Sequence, residues 1–292
     1  IPHTIAVREY GLPEYGIKFI FNKAQCMQAL YDCSDLVFSI TKDVGNYFFP
    51  ADPGKKIIVF YEGIDEEYLL TDNILNEKEA LHLFHLGEGI KVGTFAYIGK
   101  GKGQMDLIKA VIHLLKEGFS IYAVLVGDVA DDEYYRRIIN TIQESAFEDH
   151  FIWTGYLTNP YPIMKNVDIV VSSSWMEATG RTLFEAALLK RPIIFPNSGG
   201  PNEIFTNGVH GYHYRVGDYI ELAEKIKDII NDTKNTQELV NNAYYYLKKV
   251  LTPEKKTGIY MDKFMQLKYN KSQFKPSFKR INNLLEINDL NR

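Results

Sequence analysis

From about residue 88 onward, short apolar runs alternate with amphipathic ones, and this alternation restricts the fold more than any other feature of the chain. The apolar runs are IKVGTFAYI, IYAVLVG, HFIWTG, VDIVVSS, RPIIFP and GYHYRV. Between them lie QMDLIKAVIHLLKEG, DEYYRRIINTIQESA, YPIMKN, GRTLFEAALLK and PNEIF, which carry helical spacing or helix-start signals. Strands made almost wholly of Val, Ile and Phe, each followed by a helix, predict a parallel sheet covered on both faces. Such sheets bind ligands beyond the carboxyl ends of their strands, where the loops richest in Gly, Ser and Asp fall here.

The flanks read differently. AQCMQALYDCSDLVFSITKDVGNYFF predicts a helix, a strand and a second helix, and KKIIVFYEGID a further strand. These are the expected last elements of a preceding α/β unit. After residue 218, DYIELAEKIKDIIND, TQELVNNAYYYLKKV and PEKKTGIYMDKFMQLKY predict successive helices, the last beginning at Thr252, Pro253 and Glu254. The tail beyond about residue 270 is polar and rich in Asn and Lys. The expected division is residues 1–64, 65–250 and 251–292.

A net charge of −4 argues against a chain whose main partner is nucleic acid. Cys26 and Cys33 are spaced for packing in a helix, which suits a reducing, cytoplasmic compartment. No run is long enough to span a membrane. The first residue is Ile and the text there already reads as structured, so the expectation is a piece of a longer protein.

Several loops have the makings of a site. In YIGKGKGQMDLI, Gly99, Gly101 and Gly103 interleave with Lys100 and Lys102 between a strand and a helix. The loop is either a turn with solvated lysines or an anion cradle using backbone amides and the helix start. Its glycine spacing fits neither a Walker loop nor GxGxxG. Asp128, closing LVGD, is expected to cap the next helix. Ser172, Ser173 and Ser174 close another strand.

In WMEATGRTLFEAALLK, Glu177 and Glu185 flank Gly180 and Arg181. With Leu183, Phe184, Ala187 and Leu188 on one face, Glu185 is predicted on the other. It then forms either a surface pair with Arg181 or a seat for a ribose diol, while Glu177 is a solvated loop residue, a helix-start acid or a contact to a sugar hydroxyl. The turn NSGGPNE, with Pro201 in a first helical turn and Glu203 behind it, is either an ordinary turn or a second wall of the same cleft.

In this order, over residues 30 to 268, these segments resemble the retaining GT-B glycosyltransferases of family four, the group 1 transferases. GKGQMDLIKAV is similar to the family's Lys-Gly loop and helix, and EATGRTLFEAALLKRPIIFPNSGGPNEI to its Glu-x7-Glu signature, strand and GG-x-x-E turn. The resemblance implies two Rossmann-like domains, with this chain holding the C-terminal nucleotide-sugar domain and the final elements of the N-terminal one, and its last helix crossing back.

It also implies roles. Lys102 neutralises the donor diphosphate within the Gly99–Gly103 loop, and amides around Thr179, Gly180, Arg181 and Thr182 cradle the phosphates. Glu185 takes the ribose and Glu177 the donor sugar. The donor is a nucleotide sugar such as a UDP- or GDP-sugar, no metal or other cofactor is required, and transfer retains the anomeric configuration. The acceptor is a saccharide or a lipid-linked one, met in the cytoplasm at the inner face of the membrane. The residues Lys275, Lys279 and Arg280 are either part of a solvated tail or a contact to an anionic membrane surface.

Two departures stand out. Thr94 follows Gly93 where the family often has Arg, leaving Lys100 or Arg181 to supply that charge. Arg8 and Glu9 occupy the nearest match to the family's His and acid, with His3 upstream. The competing expectations are a donor-binding module of a two-chain transferase and a sugar-nucleotide epimerase of the same fold.

Overall fold

The computed structural model describes residues 3–8, 23–52, 56–64, 69, 88–250, 258, 260–263 and 265–267. The chain divides into two compact units, Ile1–Gly63 with Leu251–Arg292, and Ile64–Val250. The Thr252–Glu254 helix start, Glu9 and the basic tail positions lie outside the described residues.

The first unit contains strands β1 (Thr4–Val7), β2 (Leu36–Ser39) and β3 (Ile57–Val59), paired in parallel in the order β1-β2-β3. Helix α1 (Lys23–Cys33) precedes β2, and α2 (Lys42–Phe48) follows it, started by Thr41, whose hydroxyl accepts the Val44 amide. Met27, Tyr31, Val37 and Phe49 form its core, with free Cys26 and Cys33 half-buried on α1.

The second unit is built on a six-stranded sheet, all parallel, in the order β6-β5-β4-β7-β8-β9. Its strands are β4 (Ile90–Phe95), β5 (Ile121–Val126), β6 (Phe151–Trp153), β7 (Ile169–Val171), β8 (Ile193–Pro196) and β9 (Tyr212–Tyr214). The helices are α3 (Gln104–Lys116), α4 (Asp132–Gln143), α5 (Tyr161–Asn166), α6 (Arg181–Leu188), α7 (Gly199–Ile204), α8 (Tyr219–Asn231) and α9 (Thr233–Val250).

Side chains alternate across the sheet, so each strand feeds two layers. Val92, Leu125, Ile169, Val171, Ile194 and Tyr214 pack with α3, α4 and α8. On the other face Phe195 meets Phe205, which also packs edge-on against Phe184 of α6. Burial on both faces is why these strands read as unbroken apolar runs.

The strand order reverses beside β4: its chain continues outward to β5, whereas its other neighbour is β7. The helices that follow β4 and β7 lie on opposite faces of the sheet, and sheets of this kind bind ligands in the crevice outside the carboxyl ends of the strands at such a switch point.

One cap differs from expectation. Asp131, not Asp128, starts α4, accepting the Tyr134 amide at 2.9 Å. After β5 the chain stays bridged to Ile98, through Ile98–Val129 pairing and the Ala130 amide on the Ile98 carbonyl, so the helix begins three residues later. Asp128 closes a local turn on the Val129 amide.

Behind the first turn of α3, buried Asp106 accepts the Gly217 amide at 2.7 Å and the Tyr214 hydroxyl at 3.2 Å. Burial pushes its carboxyl above the ordinary 3.8, against the opposing pull of those two bonds. Its stabilising contribution is complete below the unfolded value and is lost as pH rises through the higher folded value. Asp106→Asn should therefore gain in Tm relative to the native protein as pH rises above the ordinary carboxylate value of 3.8. Parallel Tm curves for the two proteins would contradict this.

Candidate functional site

The crevice beyond β4 and β7 is built from three loops. Beyond β4, Gly99 opens a single 3-10 turn over Lys100–Lys102, and Gly103, at φ 64°, closes it and starts α3. That positive φ favours glycine, and the contact demands it: a Cβ on Gly103 would lie 2.1 Å from the Ser173 carbonyl oxygen. The loop is fixed from behind by fully buried Gln104, whose amide donates to the Tyr97 carbonyl at 2.7 Å and accepts from the Gly99 amide.

Several loop amides are already committed. Those of Lys102 and Gly103 donate to Gly99 and Lys100 carbonyls, that of Asp106 to Gly103, and that of Met105 to the Tyr134 hydroxyl at 2.8 Å. Burial pushes that hydroxyl up to about 12, so it stays neutral. The loop thus has most of its amides committed internally and carries the Lys102 ammonium. Lys100 stands exposed on the same turn.

The loop after β7 is tied to the first. The Ser173 hydroxyl donates to the Lys102 carbonyl at 2.9 Å, and the Trp175 amide to the Gly101 carbonyl at 3.0 Å. Across this seam the Lys102 Nζ lies 2.9 Å from the Glu177 Oε2, with both side chains largely buried, at 15% and 16% exposure. The other carboxylate oxygen accepts the Gly180 amide at 3.3 Å. Glu177 is therefore neither a solvated loop residue nor an acid of the first helical turn, but a largely buried ion-pair partner that also holds the amide of the residue before α6.

Gly180, also left-handed at φ 76°, leads into α6. Thr179 is buried, and the Thr182 hydroxyl donates to the Phe95 carbonyl at 3.1 Å, pinning the start of α6 to the end of β4. The first-turn amides at Arg181 and Thr182 are the kind of orphan donors that every helix start presents, with the positive end of the dipole behind them. The third loop closes the wall: the Gly200 amide donates to the Glu177 carbonyl at 2.8 Å, and a Cβ on Gly200 would strike the Ala178 carbonyl at 2.0 Å.

Glu185 does form the pair with Arg181, at 3.1 Å, but not as a surface pair of equals. Arg181 is 57% exposed and the glutamate side chain 12%. The same oxygen accepts the Tyr161 hydroxyl of α5 at 3.3 Å. Side chains on a helix lean toward its N-terminus, so this carboxylate is directed back toward the Gly180 end of α6. Tyr161 and Gln104 carry no sequence pattern that marks them: Tyr161 acts across 24 residues of chain, and Gln104 bonds back onto its own loop. Among the described residues no cluster of three or more His, Cys, Asp or Glu could hold a metal ion, and no helix is long and apolar enough to cross a membrane.

The chain is 25% identical over 184 residues to the capsular polysaccharide biosynthesis glycosyltransferase CapM of Staphylococcus aureus, a match covering 61% of this chain and 45% of that one. The chain therefore spans about half the length of such curated relatives. Among solved structures, HepE of Anabaena in complex with UDP and glucose superposes with a TM-score of 0.80 at 22% identity, covering 91% of this chain and 72% of that one. The C-terminal domain of the group 1 family protein LpcC of Francisella tularensis is covered in full by 65% of this chain, with a TM-score of 0.57 and 22% identity. The structures share the GT-B fold expected from the sequence. The family model for group 1 glycosyl transferases matches residues 86–246, which contain all three loops of the crevice, and the chain belongs to that family.

Proposed function

We propose that this chain binds a nucleoside-diphosphate sugar in the crevice beyond β4 and β7 and serves as the donor half of a retaining glycosyltransferase acting on a saccharide or lipid-linked acceptor. The observation that carries this reading is the Lys102–Glu177 pair, a cation and an acid held 2.9 Å apart beside the start of α6. A diphosphate seated on the Arg181 and Thr182 amides would draw the Lys102 ammonium to itself, and Glu177 would turn to a hydroxyl of the sugar. Glu185, leaning toward the same end of α6, would accept the ribose diol.

In the proposed transfer the anomeric C–O bond breaks and its electron pair passes to the β-phosphate oxygen. The acceptor oxygen bonds to the anomeric carbon on the same face, and its proton goes to the departing phosphate. Lys102 and the helix amides stabilise the charge that develops on the leaving group, with no obligatory metal. Arg181, exposed at the rim, supplies further positive charge.

Titration calorimetry with UDP, GDP and their hexose conjugates tests the reading, and the UDP held by HepE makes the uridine series the first choice. Hydrogen bonds to a charged group contribute about 1.5–3 kcal/mol each, so Glu185→Ala should weaken nucleotide binding by about tenfold or more. Absence of nucleotide binding, or equal affinity in the variant, would overturn the assignment. Product analysis without acceptor separates transfer from epimerisation.

A further inference from the structure

We propose that the indole of Trp175 is the platform on which the hexose of the bound nucleotide sugar stacks, which makes it a specificity-determining residue of the donor site. The proposal rests on the reading of that site as a nucleotide-sugar crevice. Trp175 is 53% exposed, although a large apolar ring gains from burial. Its exposure is not that of a free side chain. Its backbone amide donates to the Gly101 carbonyl at 3.0 Å, and its Cδ1 edge lies so close over Gly103 that a Cβ there would be 2.9 Å away. Both anchors belong to the loop that carries Lys102.

Two residues further on, Glu177 reaches Lys102. The ring therefore sits on the loop that carries the ammonium assigned to the diphosphate, and its own loop carries the carboxylate assigned to the sugar. A pyranose has a face of C–H groups and a rim of hydroxyls. An aromatic plane fits the face and a carboxylate fits the rim, the division of labour usual in small-molecule sites with apolar walls and few polar groups. A fixed ring also loses little conformational freedom on binding. A phosphate would gain nothing from the indole. A nucleobase could stack on it, but the base belongs with the ribose that Glu185 would hold, and Trp175 shares its loop with Glu177.

The chain has two tryptophans, so Trp153→Phe leaves Trp175 as the sole indole reporter. In that background the hexose conjugate should change the emission beyond what the nucleoside diphosphate alone does. Trp175→Ala should lower affinity for the conjugate by about tenfold, while affinity for the diphosphate stays within about twofold. Trp175→Phe, which keeps a stacking plane, should recover most of the loss. An equal loss for diphosphate and conjugate would mean that the ring serves the loop or the base, and it would overturn the proposal. So would no loss in either. Failure of the unsubstituted protein to bind any nucleoside diphosphate would instead overturn the nucleotide-sugar reading, and this proposal with it.

Discussion

Lys102→Met should lower turnover by about 10²- to 10³-fold, the cost of removing one preorganised group that stabilises charge developing on a leaving group. Turnover here is the release of nucleoside diphosphate from the nucleotide sugar in the presence of acceptor. The prediction has to be separated from a plainer effect, because Lys102 also neutralises Glu177, and both are largely buried. Removing one member of such a pair leaves a charge without its partner and destabilises the fold. Glu177→Gln separates the two contributions. Its side-chain oxygen can still accept the Gly180 amide, and in the double variant no charge is left stranded. The double variant should therefore recover most of the Tm lost in Lys102→Met and none of the turnover. Recovery of both together would show that the pair only holds the loops in place, and the proposed chemistry would fail.

The legible part of this protein was the part fixed by local pattern. Each apolar run from Ile90 to Tyr214 contains a strand, because strands covered on both faces leave no polar alternation to confuse the reading. The glycines at 103 and 180 were visible as punctuation, and both adopt the left-handed conformation that such positions suggest. The helical spacing of Leu183, Phe184, Ala187 and Leu188 placed Glu185 on the opposite face, yet Glu185 is itself buried. A helical wheel describes one helix; it says nothing about Tyr161 arriving from α5 or about α9, whose Tyr244 ring lies 4.8 Å from the Lys190 ammonium just past α6. The missed cap at Asp131 has the same origin. Two adjacent acids and Asp128 all satisfy the local rule, and the bridge to Ile98 decides among them. The tie between Lys102 and the loop of Ser173 and Trp175 was unreadable for a further reason. It depends on the approach of the β7 loop to the β4 loop, segments about seventy residues apart in the chain.

That approach can be broken by a single methyl group. Gly103→Ala should displace the Gly99–Gly103 loop, weaken nucleotide binding by more than about tenfold, and cost ~2–4 kcal/mol of stability through positive-φ strain together with overpacking. The strain alone is modest, since alanine can visit φ 64° at about 1 kcal/mol. The larger part comes from the partner. The added Cβ would lie 2.1 Å from the Ser173 carbonyl oxygen, a backbone atom that cannot rotate away, and 2.9 Å from the Trp175 ring. Relief requires separating the β4 and β7 loops, which sacrifices the Ser173 bond to the Lys102 carbonyl and moves Lys102 away from Glu177. Gly118→Ala is the matched control, because it has a similar positive φ, at 90°, and no atom within 4 Å of its Cβ. It should lower Tm by the strain alone and leave nucleotide affinity unchanged. If Gly103→Ala behaved like Gly118→Ala in both measurements, the two loops would not be the rigid seam on which the donor site depends.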